Sequence, residues 1–159
     1  MPMTNKLSFR GNREIWSLPK TAYLSSDRFS AGSVLKSYDW AAEMKKQERC
    51  VISGFHSKLE KDVFDLLLLG KQPIIMALAR SMYEKTPPNL KPHIDAGRLL
   101  VVSQFEPGSN RVTRDLAYLR NQFVIDNSIE VVYAHIYEGG MLEQLKVRDE
   151  VLVRVLDRE

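Results

Sequence analysis

A short apolar run that breaks into a helix start constrains this chain more than any other stretch. Cys50-Val51-Ile52-Ser53 reads as a buried strand, Gly54 opens a tight turn, and Ser57 stands three residues before Glu60. That spacing lets the serine hydroxyl accept from the amide of residue 60 while the glutamate reaches back to the amide of residue 57. Val63, Phe64 and the leucines at 66–69 follow at helical density, and Gly70 stops the helix. A strand feeding a capped helix through a short glycine turn is the repeating unit of parallel α/β sheets. Its helix start faces the edge on which such sheets bind anions.

The unit recurs. Residues 21–24, 72–77, 98–103 and 129–135 read as further strands, with Pro73 at a strand start where a missing amide costs least. Helices are expected over 34–46 behind a Ser33 cap, over 57–69, over 88–96 ended by Gly97, over 110–126 behind Ser109 or Asn110, and from Met141 onward. Leu35, Tyr38 and Ala42, with Trp40, mark the expected buried face of the first helix. Val112, Leu116, Leu119 and Phe123 mark that of the fourth. Continuous apolar strands alternating with helices predict an α/β fold, a three-layer sandwich around a mostly parallel central sheet. Residues 1–13 read as a loose lead-in. The tail 147–156 alternates imperfectly and reads as an added strand or a helix extension, and as a candidate subunit interface. At 159 residues, one domain over 1–159 with its core at about 20–145 is expected.

Charge and cysteine usage narrow the function. A formal net charge of +3 permits a phosphate-bearing partner without requiring one. Cys50 is the only cysteine, so neither an internal disulfide nor a thiolate metal cluster can form. His93 and His135 lack ligand-like spacing with each other or with carboxylates, and no metal or cofactor is expected. The first thirteen residues have no apolar core of a secretion signal, and the run at 66–69 is too short to cross a bilayer, so a cytoplasmic protein is expected.

Three turns follow predicted strands. The first carries Ser25, Ser26, Asp27 and Arg28 ahead of Gly32; the second Gly54, His56 and Ser57; the third Glu138, Gly139 and Gly140. Helix-start amides at these turns would converge on one crevice and suit phosphate or carboxylate. Arg111, Arg114 and Asn121 are expected on one helix, with Arg120 beside Asn121; arginine offers a rigid fork of donors for phosphate and asparagine a polar edge for a base or ribose. The imidazole of His56 could contact an anion or shuttle a proton. Glu143, in the first turn of the last helix, is either a carboxylate base or a favourable charge on the helix dipole.

These residues resemble the DNA-processing protein A (Smf) family and the wider Rossmann-like superfamily it shares with the LOG (lysine decarboxylase-like) proteins. The match covers about residues 20–145. Arg120-Asn121-Gln122-Phe123-Val124-Ile125, then Ser128, Val131-Val132 and Gly139-Gly140-Met141-Leu142, look like the family's Arg-Asn-Arg helix, hydrophobic strand and Ser-Gly-Ser-Leu turn. Ser53-Gly54-Phe55-His56-Ser57 with Glu60 stands in place of its Gly-Gly-Ala-x-Gly-Ile-Asp loop, and the turn from Ser25 to Gly32 resembles its first loop more loosely. The third turn lacks the family's serines. The resemblance implies a Rossmann-like fold and a crevice for a nucleotide, another phosphate-bearing small molecule or single-stranded DNA. Ser26, Arg28, Gly54, His56, Ser57, Arg120, Asn121, Gly139 and Gly140 are the expected binding residues. The LOG branch implies an alternative, hydrolysis of the N-glycosidic bond of nucleoside monophosphates, with Arg120 and Glu143 as catalytic candidates. A non-catalytic scaffold or self-associating domain is the third alternative, with a homo-oligomer formed through the tail.

Overall fold

The computed structural model describes residues 3–158, so Met1, Pro2 and Glu159 of the expected domain lie outside the described residues. Seven strands form one sheet: β1 (Met3–Arg10), β2 (Lys20–Leu24), β3 (Cys50–Ser53), β4 (Ile74–Ala77), β5 (Leu99–Phe105), β6 (Glu130–Tyr133) and β7 (Leu152–Val155). Their order is β1-β5-β4-β3-β2-β6-β7, all parallel except β1, which runs antiparallel to β5 at one edge. The sheet is the mostly parallel α/β arrangement expected, with a correction at its amino-terminal edge. The lead-in is not loose: it becomes the edge strand β1 and a short 3₁₀ turn, Arg13–Ser17. The tail resolves as the added strand β7, paired with β6.

The apolar strand runs are explained by cover on both faces. Tyr23, Val51, Ile74, Val101 and Val132 point to one side, where they meet Trp40, Met44, Leu59, Val63 and Leu67 of α1 (Ala31–Gln47) and α2 (Lys58–Leu68), with Ile94 of α3 (Lys91–Asp95) packed alongside. Their neighbours Ala22, Leu24, Ile52, Ile75, Leu100 and Val131 point to the other, against Val124 and Ile125 of α4 (Arg114–Asp126) and Leu142 of α5 (Met141–Gln144). Alternation at a period of two thus supplies two cores from one sheet.

Helix faces depart from expectation twice. In α1 the buried positions are Ser33, Ser37, Trp40, Ala41 and Met44, while Leu35 is 66% exposed and Tyr38 and Ala42 also face outward. Ser37 is tolerated inside because its hydroxyl pairs with Tyr23 Oη at 2.7 Å. The helix is capped by Ser30, whose side chain accepts from the Ser33 amide, rather than by Ser33 itself. In α4 the cap is Thr113, so Arg111 and Val112 precede the helix, and the buried face is Leu116, Arg120, Asn121, Val124 and Ile125. That rotation carries an arginine inward.

Candidate binding crevice

From β2 the chain order runs through β3, β4 and β5 on one side and through β6 and β7 on the other. The β2/β6 boundary is therefore the point where crossovers diverge and leave a crevice beyond the carboxyl ends of the strands. A cavity of about 380 Å³ lies there. Ser25, Ser26, Asp27 and Arg28 border it from the turn after β2; His56, Ser57 and Glu60 from the start of α2; Tyr137 to Leu142 from the turn after β6; and Arg114, Ala117, Arg120 and Asn121 from α4. Of the nine binding residues expected from sequence, eight meet around this one space. Gly54 lies behind Arg120 and lines a neighbouring cavity instead.

Four amides at these turns are taken by the chain's own carboxylates. Glu60 completes the reciprocal cap with Ser57 and also accepts from the amides of His56 (2.9 Å), Ser57 (3.2 Å) and Ser25 (2.9 Å). It is 2% exposed and ties the first turn to the second. Glu143 accepts from the Gly139 amide at 2.9 Å, so the catalytic candidate on α5 caps its own helix and does not border the cavity. At α1, Asp157 from beyond β7 accepts from the Ser30 hydroxyl at 2.7 Å, and a Cβ on Gly32 would stand 2.8 Å from its Oδ2. Three helix starts each hold an internal anion, which complements their dipoles.

Side chains form the rest of the cavity wall. Arg120 is 4% exposed, its Nε donating to Asn121 Oδ1 at 2.8 Å and its Nη1 to the Ala77 carbonyl at 3.4 Å. Among the described residues no carboxylate lies within ion-pair distance of it, and Nη2 has no protein acceptor. Burial pulls its pKa down, partly countered by the charge of Glu60. The guanidinium lies against the backbone of Gly54, which is why that position is glycine. The next residue, Phe55, has φ +47°, a left-handed conformation that costs a bulky side chain on the order of 1–3 kcal/mol. Its ring is held on Phe64 at 4.7 Å, and its amide donates to Ser53 Oγ.

On the far side of the cavity the exposed Arg28 stacks its guanidinium 4.3 Å from the ring centroid of Tyr137. Asn121 Nδ2 meets Met141 Sδ at 3.5 Å, and Arg114 is exposed at the rim. Sequence reasoning passed over Tyr137, although it sits two residues before the expected Gly139, and over the reach of Glu60 to the Ser25 amide. Only the capping spacing was legible there; the contact across 35 residues was not.

The mostly parallel sheet, with a crevice where its strand order reverses, defines a Rossmann-like fold. No family model matches the chain, and no curated protein matches it in sequence. Solved structures do match. The chain is similar to DNA processing protein A from Streptococcus pneumoniae, with a TM-score of 0.69, 17% identity, and cover of 87% of this chain and 50% of that one. It is similar to DNA processing protein A from Helicobacter pylori, a structure described by its single-stranded DNA binding mode, with a TM-score of 0.64, 22% identity, and cover of 81% and 60%. It is also similar to the molybdenum cofactor binding protein from Rippkaea orientalis, with a TM-score of 0.53, 12% identity, and cover of 80% and 68%. The chain thus has the fold of the DNA processing protein A structures and spans about half the length of the first. Among the described residues no helix is long and apolar enough to cross a membrane.

Proposed function

We propose that this chain binds a nucleotide or single-stranded nucleic acid in the crevice between the β2, β3 and β6 turns. The observation that carries the reading is Arg120, a buried guanidinium at the cavity wall with no carboxylate partner. A buried charge without a counter-ion is costly, and Glu60, the carboxylate whose charge acts on it, is already shared among three amides. A phosphate in the cavity would supply the missing charge, with Arg28 and Arg114 at the rim adding attraction and Asn121 a polar contact. The single-stranded DNA binding described for the Helicobacter pylori protein of the same fold supports this choice of ligand.

Fluorescence anisotropy with a labelled oligothymidylate across a salt series tests it. Binding should weaken steeply as salt rises if several phosphates are engaged, and shallowly for a mononucleotide. Arg120→Gln should cost about tenfold to a hundredfold, the worth of charge-assisted hydrogen bonds. Arg28→Ala and Arg114→Ala, at exposed positions, should each weaken binding without loss of fold. Absence of binding to oligonucleotide and mononucleotide alike at low salt overturns the reading.

A further inference from the structure

Arg120 and His56 border two cavities. The second, about 370 Å³, lies on the other side of Arg120, over the end of β4. Each cavity falls in the size range of small-ligand sites. They are also built alike. In the first, Arg28 stacks on Tyr137 at 4.3 Å; in the second, Arg80 stacks on Tyr83 with its guanidinium carbon 4.9 Å from the ring centroid. The loop that presents this pair is pinned by Ser103 Oγ donating to the Arg80 carbonyl and by the Ser81 amide donating to the Ser109 carbonyl at 2.7 Å. Lys61, Arg80 and Arg120 border the second cavity against the single carboxylate of Asp65, so it too favours an anion at its edge.

We propose that the second cavity is an adjoining nucleotide subsite, so that the ligand spans at least two linked nucleotides with the phosphodiester crossing Arg120. The inference rests on the crevice reading above and specifies its substrate. A mononucleotide fills one cavity and leaves the other, with the Arg80–Tyr83 pair at its wall, empty. A linked pair engages both, and the guanidinium between them meets the bridging phosphate. Stacking on an aromatic face is worth about 1–3 kcal/mol per base and tolerates any base, so the subsite reads strand continuity rather than sequence.

The experiment compares thymidine 3′,5′-bisphosphate with the dinucleotide pTpT at fixed salt by calorimetry. The bisphosphate carries the second phosphate without the second nucleoside, so any gain by pTpT reports the second cavity. The wild type should bind pTpT at least tenfold more tightly. Tyr83→Ala should abolish that gain and leave bisphosphate affinity unchanged, and Tyr83→Phe should retain it. Equal affinities in the wild type, or a Tyr83→Ala loss shared by both probes, overturn the second subsite while the crevice stands. Failure of both probes to bind overturns the crevice and the subsite together.

Discussion

The guanidinium carbon of Arg120 lies 2.2 Å from where a Cβ on Gly54 would stand. One of the two must yield if residue 54 gains a methyl group. The guanidinium is walled in by Asn121 and the Ala77 carbonyl, so Gly54→Ala forces a shift in a packed region. Overpacking of this kind costs about 1–3 kcal/mol. The urea midpoint should fall accordingly, and nucleotide binding should weaken with it because Arg120 leaves its place. A midpoint within error of the wild type would show that the guanidinium moves freely.

Glu60 holds three amides from two turns, and its charge also acts on Arg120. Glu60→Gln keeps the shape but loses the charge and turns one acceptor into a donor facing N–H groups. We expect a loss of about 1–3 kcal/mol in equilibrium unfolding. Glu60→Ala should cost more, because buried amides are then left without a partner. Hydrogen exchange at the Ser25 and His56 amides should rise in both variants. Unaltered exchange at Ser25 would separate the first turn from the second.

The strands β2 to β6 were legible because cover on both faces makes each a continuous apolar run, and the α2 cap because Ser57 and Glu60 are local partners. β1 was not. Only Leu7 and Phe9 alternate within a polar stretch, the pattern of an edge strand half covered by the 3₁₀ turn. The face of α1 was misread because two of its inward residues are serines, satisfied by Tyr23 and Asp157. Periodicity of apolar residues cannot register a polar core. The face of α4 was misread for the same reason, since Arg120 and Asn121 turn inward. The turns that border the crevice followed from the order of strands and helices. Their occupation by internal carboxylates did not, because Glu60 and Asp157 act across 35 and 127 residues.

Burial in β3 pushes the Cys50 thiol up from 9.0 to about 12, partly countered by Lys20. A thiol whose folded pKa is raised contributes stability that is intact below its unfolded pKa. That stability is lost as pH climbs toward the folded value. The window is therefore about pH 9 to 12, with the unfolded chain releasing the proton first. At pH 10 the loss from this group alone is about 1.4 kcal/mol, one unit of separation. Cys50→Ala should be less stable at pH 7 through lost packing, yet fall less between pH 8 and pH 10 than the wild type does. Parallel urea curves at the two pH values check this; identical falls in both proteins would mean the thiol is not held neutral.

Asp157 joins the end of the chain to the start of α1. Its amide donates to the Ala134 carbonyl at 3.0 Å, continuing the β7 edge, and its own carbonyl meets the His135 ring. The carboxylate, 3% exposed as a residue, receives Ser30 Oγ at 2.7 Å and Ser33 Oγ at 3.5 Å, with Lys36 Nζ at 3.5 Å. Removing the acceptor leaves the buried Ser33 hydroxyl with Ser30 Oγ alone, at 3.0 Å, and takes away the carboxylate that holds the capping Ser30 in place. Asp157→Ala should cost about 2–3 kcal/mol, whereas Asp157→Asn, which keeps one carbonyl oxygen, should cost about 1. Because Lys36 is half exposed, most of the effect should persist in high salt, where a surface ion pair would be screened. Chemical denaturation of the three proteins at low and high ionic strength distinguishes the hydrogen bonds from the ion pair. A penalty that disappears in salt would assign the contact to Lys36 instead of the serines.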